Sequence, residues 1–468
     1  MKRFLFLAPV ALIAACGGND DSGAAAAGPS GTQQTQATVT FHEHVEPILQ
    51  ARCQTCHHEG GIGPFTLITY DEAFRQASQI AKQASARTMP PWGQATTDEC
   101  TPRHKFRGDP TLTQAEIDTL SKWLAEGAKE GDPAKAPAAK KFDEELLSGA
   151  TEDWKIPTPY LVKAGLSDEF MCFVIDPKLT ETTYLDGVAF VPGNPKVSHH
   201  ALAFVDPTGE AKKLADADGK YPCFGGPMAA GSLMTAWAPG VPPADFGTRI
   251  GLEVPAGAVL VVQMHYHPKE DSDQLDQTKI VVRKRSTTPE YIAKTRLIGN
   301  SQSANGFIKL LPGMNDDNGV EFRIPAGASN HVETMEYAHS QKKPLRIASV
   351  GAHMHWVGVD MKIDIERKTP PADQPASECL IQTPRYDFNW QRGYAYDADI
   401  EALPTLEAGD TVRIRCTYNN TMDNRGVRKA LAEKHLTAPQ VVTLGEETLD
   451  EMCLGAFTLL RPNPTFGK

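Results

Sequence analysis

Residues 53–57 read Cys-Gln-Thr-Cys-His, and far downstream histidines recur at 199, 200, 265, 353 and 355. Two thiols three positions apart, with a histidine directly after the second, form the pattern of covalent c-type haem. There the thiols of Cys53 and Cys56 add to the vinyl groups and His57 ligates the iron. A thioredoxin-like redox motif shares the cysteines but gives no reason for the histidine, and no βαβ pattern surrounds this stretch. The second axial ligand must come from downstream. Met89 in ARTMPPW is the candidate, because a thioether raises the haem potential and so suits electron transfer.

The later histidines point to a different metal. On an extended strand, residues i and i+2 face the same way, so His353 and His355 of GAHMHWVG can reach one ion. Taken alone they read equally well as surface histidines. His199 and His200 are adjacent in KVSHHALAF, His265 lies in VVQMHYHP and Met452 in LDEMCLGAF. Imidazole nitrogens and a soft thioether are both ligands for a transition metal. Neighbours on a regular strand face opposite ways, so His199 and His200 need a bulge or a strand end to share an ion.

The elements that must position these groups fall into blocks. Residues 1–15, MKRFLFLAPVALIAA, read as a secretory signal, and Cys16 completes a lipobox-like end, so that a lipid on Cys16 is expected. Residues 16–40 are a Gly, Ala, Ser, Thr and Gln spacer with little to bury. Residues 41–135 carry helical periodicity, with a capping box at Thr113 and Glu116 and a stop at Gly127, and are expected to form an all-α cytochrome c domain of class I type. A Pro, Ala and Lys linker spans 136–160. The remaining residues hold many short β-rich runs between Gly and Pro, the signature of an all-β region. Two antiparallel, jelly-roll-like sandwiches are expected, at 161–290 and 291–468. A turn-then-strand phrase nearly recurs in VPAGAVLVV, IPAGASNHV and LEAGDTVRI.

At 468 residues the chain is long enough for about three domains. Without Lys2 and Arg3 the net charge goes from −11 to −13, with no basic run for nucleic acid. No segment approaches the roughly eighteen apolar residues of a transmembrane helix, so contact with a membrane is expected only through the lipid anchor. Nine cysteines in an exported chain need partners. Cys16, Cys53 and Cys56 have other roles, which leaves an even number.

From 165 to 460 the chain resembles the copper type II, ascorbate-dependent monooxygenases, the family of peptidylglycine α-hydroxylating and dopamine β-monooxygenases. The landmarks occur in order: a cysteine in MCFVID, the His-His pair, AWAPG, Gln-x-His-Tyr, His-x-His-x-x-Gly, a cysteine in RIRCTY, and Glu-Met-Cys. The resemblance implies a first copper site on His199, His200 and His265 that accepts and passes electrons. It implies a second on His353, His355 and Met452, where O2 is used and substrate is hydroxylated. It also implies disulfides Cys172–Cys223 and Cys416–Cys453, with Cys100 and Cys379 as the remainder. The peptide-amidating members hold a substrate carboxylate with an arginine two residues before His-x-His and with polar residues just after the methionine. Here those places are Gly351, Leu454 and Ala456, so a glycine-extended peptide is not the expected substrate.

The expectation is therefore an exported, periplasmic or cell-surface bacterial enzyme with two copper ions and haem c. It hydroxylates a C–H bond of a small substrate. Electrons come from a periplasmic redox protein or an ascorbate-like reductant and pass through the haem to the His199/His200/His265 copper. The alternative is an exported haem and copper electron-transfer or copper-binding protein without oxygenase activity.

Overall fold

Three stretches, VPAGAV, IPAGAS and LEAGDT, each fold as a tight turn feeding a strand. Gly257, Gly327 and Gly409 take φ of +72°, +79° and +97°, a region that is strained for most side chains but open to glycine. Each turn closes with the N–H of Ala258, Ala328 or Asp410 donated to the carbonyl of Pro255, Pro325 or Glu407. The strands that follow are Val259–Tyr266, His331–Ala338 and Thr411–Tyr418. The first is buried along its whole length and is the middle strand of its sheet. The other two alternate buried and partly exposed residues, so each has one face on the core.

The computed structural model describes residues 38–467 apart from 143–146, 166–167, 239–240, 268–271, 317–318, 373 and 448. The signal sequence, Cys16 and most of the spacer lie outside the described residues. Val39–Lys468 is one compact unit. A ten-stranded sheet runs from Glu152–Lys155 through Lys279–Lys284, Thr183–Val191, Ile250–Val254, Tyr291–Gly299, Leu454–Pro462 and Leu345–His353 to Gly393–Ala395. One five-stranded sheet, centred on Val259–Tyr266, packs Phe173, Val262 and Met264 against Leu185 and Val188 of the long sheet. A second, centred on Thr411–Tyr418, packs Ile363 and Ile414 against Val350 and Phe457.

Two expectations are corrected here. Helices make up only 15% of the structure, and the segment 41–135 is not an all-α cytochrome c domain. It holds three α-helices, α1 (Glu46–Arg52), α2 (Tyr70–Ser85) and α3 (Gln114–Ala125), with a π-helical turn, Phe41–Val45, before α1 and a 3-10 turn, Pro133–Lys135, at its end. Their small core centres on Phe41, Leu49, Leu120 and Trp123. Between α2 and α3, Pro90, Pro91, Pro102 and Pro110 deny the chain a helix. That stretch instead joins the β body: Trp92 and Phe106 pack in the same core as Val350 and Phe457. Phe106 also bridges to Tyr396, and Cys100 is bonded to Cys379. Nor are there two separate sandwiches. Tyr291–Ala293 pair in parallel with Ile250–Leu252, so one continuous sheet serves both β cores.

Candidate metal centres

The strand Ser198–Asp206 runs antiparallel to Val259–Tyr266, with His200 opposite His265. The register then shifts, and Tyr266 pairs with Ser198. His199 is the extra residue of that bulge, which turns its side chain to the face already held by His200 and His265. The three Nδ1 atoms stand 3.1, 3.2 and 3.3 Å apart. The centre of such a triangle lies about 1.9 Å from each nitrogen, close to a metal–imidazole bond of roughly 2.0–2.1 Å. Three imidazole nitrogens facing one point, with no carboxylate among them, fit a shared cation.

Behind them, His265 Nε2 meets Asp168 Oδ1 at 2.7 Å and His267 Nδ1 meets the same oxygen at 3.0 Å. A carboxylate on the far nitrogen of a ligating histidine fixes its tautomer and ring orientation. Burial works against the charge of Asp168, but its hydrogen bonds to His265 and His267 hold the carboxyl well below the usual range. Burial, then the charges of His265 and His267, lowers His199 to about 4. Burial also holds His200 well below an ordinary histidine, with smaller contributions from His265, His199 and His353. Burial thus favours the neutral, metal-binding form of His199 and His200 at neutral pH. Phe170 stacks on His265 at 4.2 Å between ring centroids. Gln263, two residues earlier on the same strand, donates to Gly226 O at 3.3 Å and lies against Cys223 Sγ, which makes it a satisfied strand residue beside the Cys172–Cys223 disulfide.

His353 ends the strand Leu345–His353, and His355 lies just past it, so the pair does not share a regular strand. Their rings stand nearly perpendicular, at 87°, with centroids 5.4 Å apart. His353 Nδ1 is hydrogen-bonded to Gln391 Oε1, and His355 Nδ1 donates to Asp450 O at 2.9 Å. Burial lowers His353 to about 4, helped by His355 and opposed by Gln391. Burial likewise lowers His355. Met452 comes two residues before Leu454, which pairs with His353. The buried carboxylate of Glu451 ties the two segments together. It accepts N–H groups from His355 (2.8 Å), Val357 (2.9 Å), Gly358 (3.2 Å) and Met452 (2.9 Å). Tyr418 OH fixes Met452 O at 2.8 Å, and the Cys416–Cys453 disulfide sits alongside. Phe388 meets His355 edge-on at 5.8 Å and Trp356 at 4.5 Å, and Lys429 Nζ lies 4.3 Å over the Trp356 ring.

Cys53 and Cys56 carry free thiols at the end of α1. Burial pushes Cys53 up to about 12, and it raises Cys56 against the positive charges of Arg392 and Lys140. His57 Nδ1 donates to Phe65 O at 2.9 Å, so Nε2 is the nitrogen left to ligate. The loop wraps this side closely: a Cβ on Gly63 would come within 2.6 Å of His57 Nδ1. Three disulfides use every other described cysteine, so two thiols left free in an oxidising compartment fit thioether attachment. Met89 is 37% exposed and lines a hollow with Ala84, Arg87, Trp92, Leu112 and Arg385. That lining includes none of Cys53, Cys56 and His57.

Asp168, Gln391 and Glu451 are the residues that the motifs alone do not reveal. Glu451 stands inside the Glu-Met-Cys landmark, which marks its place but not its work. Gln391 carries no local signal, because it reaches His353 through a loop. The disulfides place the chain in an oxidising, exported environment. Among the described residues no helix is long and apolar enough to cross a membrane.

No protein-family model matches the chain, and no curated protein does. Two solved structures align over 71% of it. The infectious bursal disease virus VP2 subviral particle has TM-score 0.14 and 10% identity, with 85% of that chain covered. The T=1 particles derived from infectious bursal virus have TM-score 0.10 and 9% identity, with 82% covered. At such scores neither bears on fold or function.

Proposed function

We propose that this chain is an exported copper monooxygenase that hydroxylates a C–H bond of a small substrate with O2, drawing electrons from an external donor through a c-type haem. The observation that supports it most is the gathering of His199, His200 and His265, with Nδ1 atoms 3.1–3.3 Å apart and Asp168 behind them. These three would hold one copper, His353, His355 and Met452 the other, and Cys53, Cys56 and His57 the haem. When bound, these groups supply one-electron storage and the activation of dioxygen.

The chain's own residues do the positioning. Asp168 fixes the tautomer of His265 and keeps its Nδ1 free of a proton. Gln391 and Asp450 orient His353 and His355, and Glu451 holds the two backbone segments of the second centre in register. Trp356 and Phe388 form an aromatic wall beside His355 that sheds water and fits an apolar substrate body. At Gly351 a Cβ would lie 3.2 Å from Arg392 O. The backbone of the 391–393 loop thus covers the place where peptide-amidating relatives carry an arginine. A lipid on Cys16 and a periplasmic or cell-surface location belong to the same reading and rest on the sequence pattern.

Metal analysis and turnover test it together. The purified protein should carry haem and a pair of copper ions. With an ascorbate-like reductant and isotopically labelled O2, a screen of small apolar substrates should yield a product bearing a single labelled oxygen, and Met452→Ala should abolish it. Full copper loading with no labelled product across the screen would favour the electron-transfer reading instead.

A further inference from the structure

The strand His331–Ala338 turns a histidine and a carboxylate toward the second β core. His331 and Glu333 stand on its buried face, 3% and 1% exposed, in line with Met335 and Tyr337. The donors and acceptors around them are matched. His331 Nε2 donates to Glu333 Oε1 at 2.6 Å, which leaves Nδ1 to accept from Asn315 Nδ2 at 2.8 Å. Both imidazole nitrogens are thereby used. Glu333 Oε1 takes a second donor, the N–H of Arg323 at 3.3 Å, but Glu333 Oε2 is buried with no hydrogen-bond partner among the described residues. A Cβ built on Gly313 would lie 3.5 Å from Glu333 Oε2 and 3.4 Å from Asp316 Oδ1, and apart from the flanking residues of the chain nothing comes closer. Asp316 is fixed there by the N–H of Gly313 on Oδ2 at 2.8 Å and that of Glu321 on Oδ1 at 3.4 Å. Two carboxylates, one of them fully buried, thus aim oxygens at the same space above the Gly313 turn. Like charges so placed cost stability unless a cation joins them.

We propose that Glu333 and Asp316 hold a hard divalent cation, calcium, which clamps the Gly313–Asp316 turn onto the second β core. The donor set decides the class of ion. Carboxylate oxygens, the amide oxygen of Asn315 and main-chain carbonyls suit calcium, which takes roughly six to eight oxygens in flexible geometry, better than magnesium, which demands a near-ideal octahedron. Zinc and copper favour nitrogen or sulfur ligands, and the nitrogens of His331 are spent on Asn315 and Glu333. The ion acts through the strand ladder. Glu333 pairs with Cys416 and His331 with Tyr418. Cys416 is bonded to Cys453, and Tyr418 OH holds Met452 O. A cation on Glu333 therefore braces the strand to which the Met452 segment is fastened. The site uses none of the residues assigned to copper or haem and stands or falls without them.

Full-length protein exchanged into calcium-free buffer tests it. Calcium carried through purification, measured by elemental mass spectrometry, and calcium taken up on titration with CaCl2 should together come to one ion per chain, with MgCl2 binding at least tenfold weaker. Saturating calcium should raise the unfolding midpoint by about 2–3 °C. Glu333→Gln and Asp316→Asn should each weaken uptake at least tenfold and remove that thermal shift. Asp316 lies on a partly exposed turn, so its variant leaves the core alone and still decides if Glu333→Gln fails to fold. Asp218→Asn, on an acidic turn beside the first five-stranded sheet, should leave uptake unchanged. No calcium bound by the native chain, equal affinity for magnesium, or uptake that survives the Asp316 and Glu333 changes would overturn the proposal. None of these results bears on copper content or turnover, so the monooxygenase reading is tested separately.

Discussion

At the scale of the residue, Glu451 has the clearest energetic role. Its carboxylate is fully buried, and both oxygens are occupied by backbone donors from two separated segments. Glu451→Ala would strand those N–H groups away from water, at about 1–3 kcal/mol for each that finds no new partner. The expected result is a denaturation midpoint lowered by about 3–5 kcal/mol in stability, with copper lost from the His353 centre and kept at the His199 centre. EPR of the two sites separates these outcomes. The protonation of these buried groups also sets a pH profile. Burial lowers His199 and His353 to about 4, so between their unfolded value near 6.5 and about 4 the unfolded chain binds more protons. Stability of the metal-free protein must therefore fall as pH drops through that window, by on the order of 3 kcal/mol for a fully shifted group. Burial pushes Glu451 up to about 8, against the four N–H groups that pull it down. A raised carboxyl gives the opposite slope, with stability lost as pH rises from 4.5 toward 8. Midpoints measured against pH should then peak near about 6.5. A flat alkaline limb would mean that the N–H groups win and Glu451 stays ionised.

At the scale of the element, the first centre depends on a bulge and the second on a staple. The His-His pair signals a shared ion only if one residue is extra in its ladder, and the shift between His265 and Tyr266 supplies it. The need for that distortion was legible in the sequence, whereas its location depends on the partner strand, where His265 lies 66 residues from His199, and is not. The recurrent Ala-Gly turns were legible because positive φ has a residue signature. Gln391 and Asp168 were not, since each reaches its histidine across a loop whose path no local pattern encodes. The Cys416–Cys453 disulfide joins the second five-stranded sheet to the start of Leu454–Pro462, and its bonded residues are 37 apart in sequence. Loop-closure entropy for that separation is worth about 4 kcal/mol. Replacing both cysteines by serine should lower the unfolding midpoint accordingly and release copper from the His353 centre first, because Met452 adjoins the staple. Calorimetry with metal analysis on the same samples checks both effects, and unchanged copper retention would assign the disulfide to stability alone.

At the scale of the whole molecule, the reading of separate blocks fails for a physical reason. Helical periodicity in 46–52, 70–85 and 114–125 correctly marks helices, but periodicity says nothing about which core the intervening proline-rich stretch completes. That stretch sends Trp92 and Phe106 into the β core beside Tyr394 and Tyr396. It is also tied down by a disulfide between residues 279 apart in sequence. A chain shortened to begin at residue 136 would therefore lose two large aromatic side chains from an otherwise intact core and expose the faces of Tyr394 and Tyr396 that they cover. Removal of a buried aromatic costs about 3–5 kcal/mol each, and the loss of Cys100 leaves Cys379 as an unpaired thiol. The shortened chain should melt well below the full-length protein, bind hydrophobic dyes and form disulfide-linked dimers through Cys379. The milder variant Trp92→Ala, with the disulfide intact, should show part of the same loss without the dimers. If the shortened chain instead melted like the full protein, the segment would be an independent block after all, and Trp92 and Phe106 would only rest on the β core without completing it.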